Sequence, residues 1–298
     1  MNALALPPDI AARVRHGEPM SKHTSWHVGG PADLYFRPLD VADVAAFLRS
    51  LEPNTTVMWI GLGSNLLVRD GGIRGAVVDT HGVFDELERR SDTEIWCGSG
   101  VACAKLAKRC IKWGLGPAEF FAGIPGTLGG ALAMNAGAFG GETWRHVLGV
   151  ATIDRAGVRH ERPASDYVAS YRHVAGPANE WFLGARLTFE QRPGVSNEDI
   201  RLLLARRKAT QPIGEWSCGS VFTNPPGDHA ARLIDSAGLK GHRLGGARVS
   251  EMHANFIVND GTASAADIEQ LIQYVMATVQ RVHGVQLKPE VRIVGEGR

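Results

Sequence analysis

The sequence lacks the short motifs by which many proteins bind metal ions, nucleoside triphosphates or dinucleotides. Its four cysteines show no C-x-x-C spacing and its eleven histidines form no H-E-x-x-H motif, so we expect no metal site. No Gly-Lys-Ser/Thr triplet ends a phosphate-binding loop, and residues 61–66, the best match to G-x-G-x-x-G, have Leu at the last position. Any redox chemistry would therefore need an organic cofactor that is held in another way.

An excess of charge of one sign and long apolar runs are also missing. Lys and Arg number 32 against 31 Asp and Glu, a net charge of +1, so we expect no nucleic-acid partner. No apolar run approaches the ~20 residues of a membrane span, and Pro7-Pro8 interrupt the N-terminus before it reaches signal-peptide length. We expect a cytoplasmic monomer without membrane insertion, long enough at 298 residues for two domains.

Glycine, by contrast, is concentrated in one stretch, "GIPGTLGGALAMNAGAFGG" at residues 123–141. A flexible linker would mix glycine with Ser and charged residues, whereas the neighbours here are Ala, Leu, Ile, Met and Phe, which favour burial. Packed glycine-rich backbone serves positions with positive φ or lets N–H groups approach a bulky, phosphate-bearing ligand. The stretch therefore predicts either tight turns or a cofactor site.

A second glycine turn lies between two apolar runs. In "TVMWIGLGSNLLV" (residues 56–68) the pattern predicts a strand, a tight turn and another strand, and Ser64 and Asn65 add side-chain donors within the turn. Taken alone, this turn fits an ordinary strand connection as well as a pyrophosphate site.

Apolar periodicity and end signals predict a mixed α+β chain. We expect a hairpin near residues 150–161, a strand near 181–190 and a break at Pro193-Gly194. This break suggests two domains, residues 1–195 and 196–298. The expected helices are residues 41–51 after Asp40, 103–113 before Gly114, 200–209, 229–237 before Gly238, and 265–283 between Ser264 and Gly284.

The order and the residues of the two glycine-rich segments resemble those of the FAD-binding region of vanillyl-alcohol-oxidase (PCMH) type flavoproteins. From "TSWHVGGPADLYF" to "LKPEVRIVG" the chain is similar, more specifically, to the UDP-N-acetylenolpyruvoylglucosamine reductase family. The resemblance implies an FAD-binding region plus a smaller C-terminal α+β substrate domain. It also implies that Gly126, Gly129 and Gly130 pass close to FAD. The full set of implied cofactor-binding residues is Gly61, Gly63, Ser64, Asn65, Leu66, Ile124, Pro125, Gly126, Gly129, Gly130, Asn135 and Gly137.

The activity implied by the resemblance is NADPH-dependent reduction of UDP-N-acetylglucosamine enolpyruvate to UDP-N-acetylmuramate in peptidoglycan precursor synthesis. Its chemistry needs a cation on the substrate carboxylate and a positioned acid. Arg172 in "SYR" has a planar, charged guanidinium that can bind a carboxylate through two hydrogen bonds. The triplet alone is equally compatible with an Arg that is simply exposed to solvent. Glu290 in "LKPEVRIVG" could donate to the developing negative charge, or could simply pair with Lys288 or Arg292.

Ser220 in "SCGSVFTNP" matches the proton donor of the family. Cys218 competes with it, because a thiol is a better acid and would lie on the same side of an extended segment. Asn224 and Lys208 are expected to bind the UDP-sugar substrate. The short connection between Arg172 and Trp181 lacks the inserted loop that carries a substrate-binding tyrosine in other family members, so how the sugar nucleotide is covered stays open.

Two other functions remain compatible with the sequence. One is a different FAD-linked oxidoreductase on the same scaffold, which would lack the combination of SYR, GSVFxNP and PEV. The other is a non-catalytic nucleotide-sugar binding module.

Overall fold

The computed structural model describes residues 6–297; the part of the N-terminal prediction that concerns residues 1–5 lies outside them. Seven α-helices and 20 strands are assigned in this range. The helices are α1 (Pro8–Ala11), α2 (Val41–Ser50), α3 (Cys103–Lys112), α4 (Leu128–Met134), α5 (Asn197–Thr210), α6 (Ala230–Ser236) and α7 (Ala265–His283).

The strands are mostly short. Within the first two-thirds of the chain they are β1 (Arg15–Pro19), β2 (Pro31–Phe36), β3 (Val57–Ile60), β4 (Leu66–Val68), β5 (Ile73–Asp79), β6 (Leu87–Arg89), β7 (Glu94–Gly98), β8 (Leu115–Gly116), β9 (Gly137–Ala138), β10 (Gly141–Glu142), β11 (Val147–Asp154), β12 (Arg159–Pro163), β13 (Val168–Ser170), β14 (His173–Ala175), β15 (Glu180–Thr188) and β16 (Glu190–Gln191). The remainder has β17 (Arg243–Leu244), β18 (Ala247–Val249), β19 (Ile257–Asn259) and β20 (Arg292–Val294).

Helix α7 shows how local chemistry sets an element's ends. The Ser264 hydroxyl accepts from the Asp267 N–H, and the Asp267 carboxylate accepts from the Ser264 N–H, which completes a capping box. Gly284 ends the helix in the left-handed conformation, with φ +69°. The carboxylate of Asp70 accepts two further N–H groups of the first turn, from Ala265 and Ala266. The predicted helix 265–283 is confirmed.

The chain forms two compact units. The first contains the described residues up to Arg15, Leu34–Gly61 and Ala76–Ala205. Its main sheet is antiparallel, in the order β12-β11-β15-β7-β6, with Ala185 of β15 opposite both Val150 of β11 and Cys97 of β7. Strands β3 and β5 pair in parallel, with Ile60 opposite Asp79. Helices α3 and α4 contribute to one of its two apolar cores and α2 to the other.

The second unit contains His16–Asp33, Leu62–Gly75 and the chain from Arg206 onward. Its apolar core combines α6, α7 and the sheet β17-β18-β19 with the buried Trp26 and Leu67. Strand β4 pairs in parallel with β20, so that Leu67 lies opposite Ile293. A strand from the first quarter of the sequence therefore belongs to the same unit as the C-terminal end.

These units differ from the division at residue 195 in two ways. The change of unit along the chain falls between residues 205 and 206, inside α5, and residues 16–33 and 62–75 join the C-terminal part. The division into domains 1–195 and 196–298 stays a prediction. It was drawn from a local break in the sequence, and such a pattern cannot reveal parallel pairing between strands that lie far apart along the chain. Within residues 6–297, no helix is both long and apolar enough to span a membrane.

Because one face of α7 is packed in the core, shortening a buried side chain of this helix should destabilise the protein more than shortening an exposed one. Leu271 is fully buried on this helix, so Leu271→Ala should lower the free energy of unfolding by about 2–5 kcal/mol. Val282→Ala, at an exposed position of the same helix, should change it by about 0.5 kcal/mol or less. Denaturant unfolding measures both; equal effects would contradict this packing.

Candidate active site

In the second unit, the turn "GSN" is shaped by close backbone contact. Gly63 has φ +61°, and a Cβ on it would overlap the carbonyl oxygen of His23. The Ser25 N–H donates to the Gly63 carbonyl at 3.2 Å. Ser64 and Asn65 are half-buried, whereas Leu66 is buried as the first residue of β4. Both the packing and the φ value therefore require glycine at residue 63.

Asn65 connects this turn to the segment that carries Glu290. Its side-chain amide donates to the Glu290 carbonyl oxygen at 3.1 Å, and its own carbonyl accepts from the Arg292 N–H at 3.1 Å. The parallel pairing of β4 with β20 continues directly from these bonds. A predicted cofactor residue and a predicted catalytic residue are thus held side by side.

The Ser220 segment lies against the same backbone. The carbonyl oxygen of Val221, next to Ser220, accepts from the Glu290 N–H at 2.7 Å, and Phe222 pairs with Pro289. Ser220 itself is half-buried, as is Glu290. The structure therefore brings together three residues that the sequence placed in separate motifs: Asn65, Ser220 and Glu290.

Asn255 is a supporting residue that the sequence prediction missed. Its side chain is buried and forms both bonds to the Phe222 backbone, accepting from the N–H at 2.9 Å and donating to the carbonyl at 2.8 Å. The backbone carbonyl of Asn255 also accepts a hydrogen bond from the Val221 N–H. The only signal in the sequence was a polar residue at the start of the apolar run "FIV". A buried Asn in such a place is retained only when it is hydrogen-bonded.

Cys218 is buried, whereas Ser220 is half-buried. Cys218 is 5% exposed within the apolar core of its unit, and burial raises the pKa of its thiol well above the usual range. Gly219 has φ +84°, so the segment is not extended there, and the expectation that both side chains lie on one side does not apply. This arrangement favours Ser220 over Cys218 as the proton donor.

In the first unit, the glycine-rich stretch forms a short helix between two turns. Residues Ile124, Leu128, Ala131 and Leu132 are buried, as the composition predicted, while Pro125 and Gly130 are exposed. The chain leaves α4 through Asn135 at φ +47° and reverses between β9 and β10 through Phe139 and Gly140, both at positive φ. The stretch is therefore a packed structure and not a linker.

Three predicted cofactor glycines of this unit differ in what a Cβ would contact, and this difference bears on whether FAD fits. A Cβ on Gly61 would overlap the Thr127 hydroxyl, and one on Gly129 would lie 3.1 Å from the Ser99 Cβ, so protein packing explains both. A Cβ on the exposed Gly130 would have no described protein atom within 4 Å. Within residues 6–297, the buried Ser99 hydroxyl has no hydrogen-bond partner. Open space and an unused polar group beside bare backbone fit a bound cofactor.

Arg172 is attached to the same glycine-rich stretch. It occupies the turn between β13 and β14 with φ +57°, and its Nη2 donates to the Gly137 carbonyl at 3.1 Å. The buried Asn135 side chain donates to the Ser170 carbonyl at 3.0 Å and accepts from the Trp144 N–H at 3.0 Å. Asn135 and Gly137 therefore support the Arg172 hairpin; their contact with a cofactor stays a prediction.

The two predicted substrate residues are both exposed. The side-chain oxygen of Asn224 accepts a hydrogen bond from the Ala230 N–H, at the start of α6, at 3.1 Å. The side-chain NH₂ group of Asn224 takes no part in this bond. Lys208 lies near the end of α5, next to Arg207, whose pKa is lowered by burial. No described contact links Lys208 to Asn224, and their role in substrate binding stays a prediction.

Comparison with known proteins defines the class first. Residues 32–161 match the family model of the FAD binding domain, and residues 211–294 match the C-terminal domain of UDP-N-acetylenolpyruvoylglucosamine reductase. The protein is an α+β flavoprotein oxidoreductase that uses FAD. The expected fold class, the cofactor FAD and the assignment as an enzyme are confirmed, and the alternative of a non-catalytic module is not supported.

Full-length relatives identify the family. UDP-N-acetylenolpyruvoylglucosamine reductase of Alkalilimnicola ehrlichii is 58% identical over 288 residues, 96% of each chain, and that of Nitrosococcus oceani is 56% identical over 285 residues, 95% of each chain. The crystal structure of the Thermus caldophilus reductase superimposes with a TM-score of 0.81 at 31% identity, covering 94% of this chain and 98% of that one. The chain belongs to the UDP-N-acetylenolpyruvoylglucosamine reductase family, as the resemblance implied.

The open space at Gly130 gives a test that separates folding from cofactor binding. Gly130→Ala lies in a helix, so it should stabilise the protein by about 0.5–1 kcal/mol, while the new methyl group weakens FAD binding about tenfold or more. Thermal unfolding of the apoprotein and flavin titration measure the two effects. Ala133→Ser, at an exposed position of the same helix, is the control and should leave FAD affinity unchanged. Unaltered FAD affinity in Gly130→Ala would argue against a cofactor there.

Proposed function

We propose that this chain reduces UDP-N-acetylglucosamine enolpyruvate to UDP-N-acetylmuramate with NADPH, a step in peptidoglycan precursor synthesis in the cytoplasm. Family membership supports the reaction class. The observation that carries the proposal further is the hydrogen-bonded junction of Asn65, Val221 and Glu290, because it joins the glycine turn to both proposed acids. Bound FAD would supply the chemistry of accepting a hydride from NADPH and delivering it to the substrate.

The protein side chains have to manage charge and protons. Hydride addition at the vinyl carbon moves negative charge toward the substrate carboxylate. Arg172 would stabilise that charge through a two-pronged interaction of its guanidinium with the carboxylate. The hairpin turn sets its backbone conformation, and the bond from its Nη2 to the Gly137 carbonyl orients the guanidinium before the substrate binds.

Proton delivery would fall to Ser220. An alcohol is a weak acid, but the acceptor would be a strongly basic, carbanion-like carbon, which makes the transfer favourable. Ser220 is half-buried and follows a glycine in the left-handed region, and Asn255 fixes the backbone just after it. Glu290, in its protonated form, would donate a hydrogen bond to the developing negative charge. Asn224 and Lys208 would bind the nucleotide-sugar part of the substrate.

The two half-reactions can be followed separately through the visible absorbance of the flavin. In the wild-type protein, anaerobic NADPH should bleach the flavin, and addition of the enolpyruvyl substrate should restore its colour. Ser220→Ala should leave bleaching intact and slow the return of colour by about 10²–10⁴-fold, since a general acid is lost.

Cys218→Ala is the matched control for this experiment. Because the thiol is buried in the core, its removal should leave the return of flavin colour close to the wild-type rate. If Ser220→Ala reoxidises normally and Cys218→Ala does not, the assignment of the proton donor is wrong. If the wild-type flavin is bleached but never restored by the substrate, the proposed reaction itself is wrong.

A further inference from the structure

The second unit exposes a pair of aromatic rings in contact with each other, close to the candidate site. The rings of His27 and Trp216 lie 4.4 Å apart between centroids and are tilted by 36°. Trp216 keeps 44% of its surface exposed. A large apolar side chain left in solvent while one face is already covered offers its remaining surface to a ligand.

The backbone that carries the two rings is bonded to the same buried residue. The N–H of Asn259 donates to the Trp216 carbonyl at 2.9 Å, and its side-chain amide donates to the Trp26 carbonyl, next to His27, at 2.7 Å. Asn259 is itself buried in the sheet β17-β18-β19. The pair is thus a rigid platform, which costs a ligand little ordering entropy on binding.

His27 adopts a conformation that is costly for a residue with a side chain. Its φ is +56°, and its N–H donates to the Thr24 carbonyl at 3.0 Å to close a tight turn. Backbone strain of this kind persists only where the surroundings enforce it, and it is concentrated at ligand-binding sites. The strained turn sets the imidazole against the indole.

The same turn places the platform at a useful distance from the "GSN" turn. A Cβ on Gly63 would lie 3.0 Å from the Thr24 Cα, and the turn from Thr24 to His27 spans about 7 Å or less. Trp216 also precedes Ser220 by four residues in the chain. Four fully extended residues span at most about 14 Å, so the platform lies no further than that from Ser220.

We propose that Trp216, backed by His27, stacks against the uracil base of the UDP-sugar substrate. This inference rests on the proposed function and names the subsite for the base. A flat aromatic face suits a pyrimidine, since base–aromatic stacking needs no hydrogen-bond pattern. It also supplies a contact for the nucleotide in a chain whose short connection after Arg172 lacks the inserted tyrosine loop.

A second exposed pair in the same unit provides the control. The rings of His242 and Tyr274 are stacked at 4.4 Å with an interplanar angle of 5°, and Tyr274 is 42% exposed on α7. This pair has a similar composition and exposure, but no described turn connects it to Gly63 or to the Ser220 segment. Tyr274→Ala therefore tests whether removal of any exposed aromatic ring changes ligand binding.

The test compares UDP with 5,6-dihydro-UDP, whose base is no longer planar and aromatic, by titration calorimetry of the FAD-loaded protein. The wild type should bind UDP more tightly than dihydro-UDP. Trp216→Ala should weaken UDP binding by about 5- to 100-fold and bring the two ligands to similar affinity. Trp216→Phe should retain most of the preference, and Tyr274→Ala should bind both ligands as the wild type does.

Three results would overturn the inference. In the first, Trp216→Ala keeps the wild-type preference for UDP; in the second, it loses affinity for both ligands equally; in the third, Tyr274→Ala behaves in the same way as Trp216→Ala. Wild-type protein that binds neither ligand would also overturn this inference, whereas the proposed function fails only if the enolpyruvyl substrate does not restore the flavin colour. A normal return of flavin colour with the enolpyruvyl substrate separates failure of the subsite from failure of the reaction.

Discussion

The second unit depends on one long-range pairing, the parallel contact of β4 with β20 and the Asn65 hydrogen bonds that precede it. A parallel pair between residues more than 200 positions apart requires the whole intervening chain to be in place. Once formed, it fixes the "GSN" turn, Glu290 and the Ser220 segment relative to one another through backbone bonds. Side-chain positions at the site then follow from backbone geometry and not from flexible surface contacts.

Glycine has two different roles in this molecule. At Gly61, Gly63 and Gly129 the missing side chain is required by protein packing, because a Cβ would meet Thr127, His23 or Ser99. At Gly130 no atom of the described residues would lie within 4 Å of a Cβ, and contact with a ligand there stays a prediction. A glycine-rich motif therefore does not bind a cofactor through every glycine; some of them bring the surrounding segments close enough to form the site.

Local features were predictable from the sequence, and distant ones were not. The ends of α7 follow from Ser264, Asp267 and Gly284, which are contiguous with the helix, so their effect could be inferred without the fold. The inclusion of residues 62–75 in the C-terminal unit depends on pairing with β20, which no local pattern reveals. The relation of Cys218 to Ser220 could not be predicted, because alternation holds only for extended backbone and Gly219 departs from it. Asn255 was missed because its role exists only when the Ser220 segment lies beside it.

We propose that the junction of Asn65, Val221 and Glu290 positions the reacting groups beside the cofactor. A crystal structure of the protein with FAD and the enolpyruvyl substrate tests it most directly. We expect the Asn65 amide to remain bonded to the Glu290 carbonyl, FAD to contact residues 63–65, and the Ser220 hydroxyl to face the substrate carbon that is protonated. Density for FAD or substrate away from this junction, with Ser220 directed into protein, would contradict it.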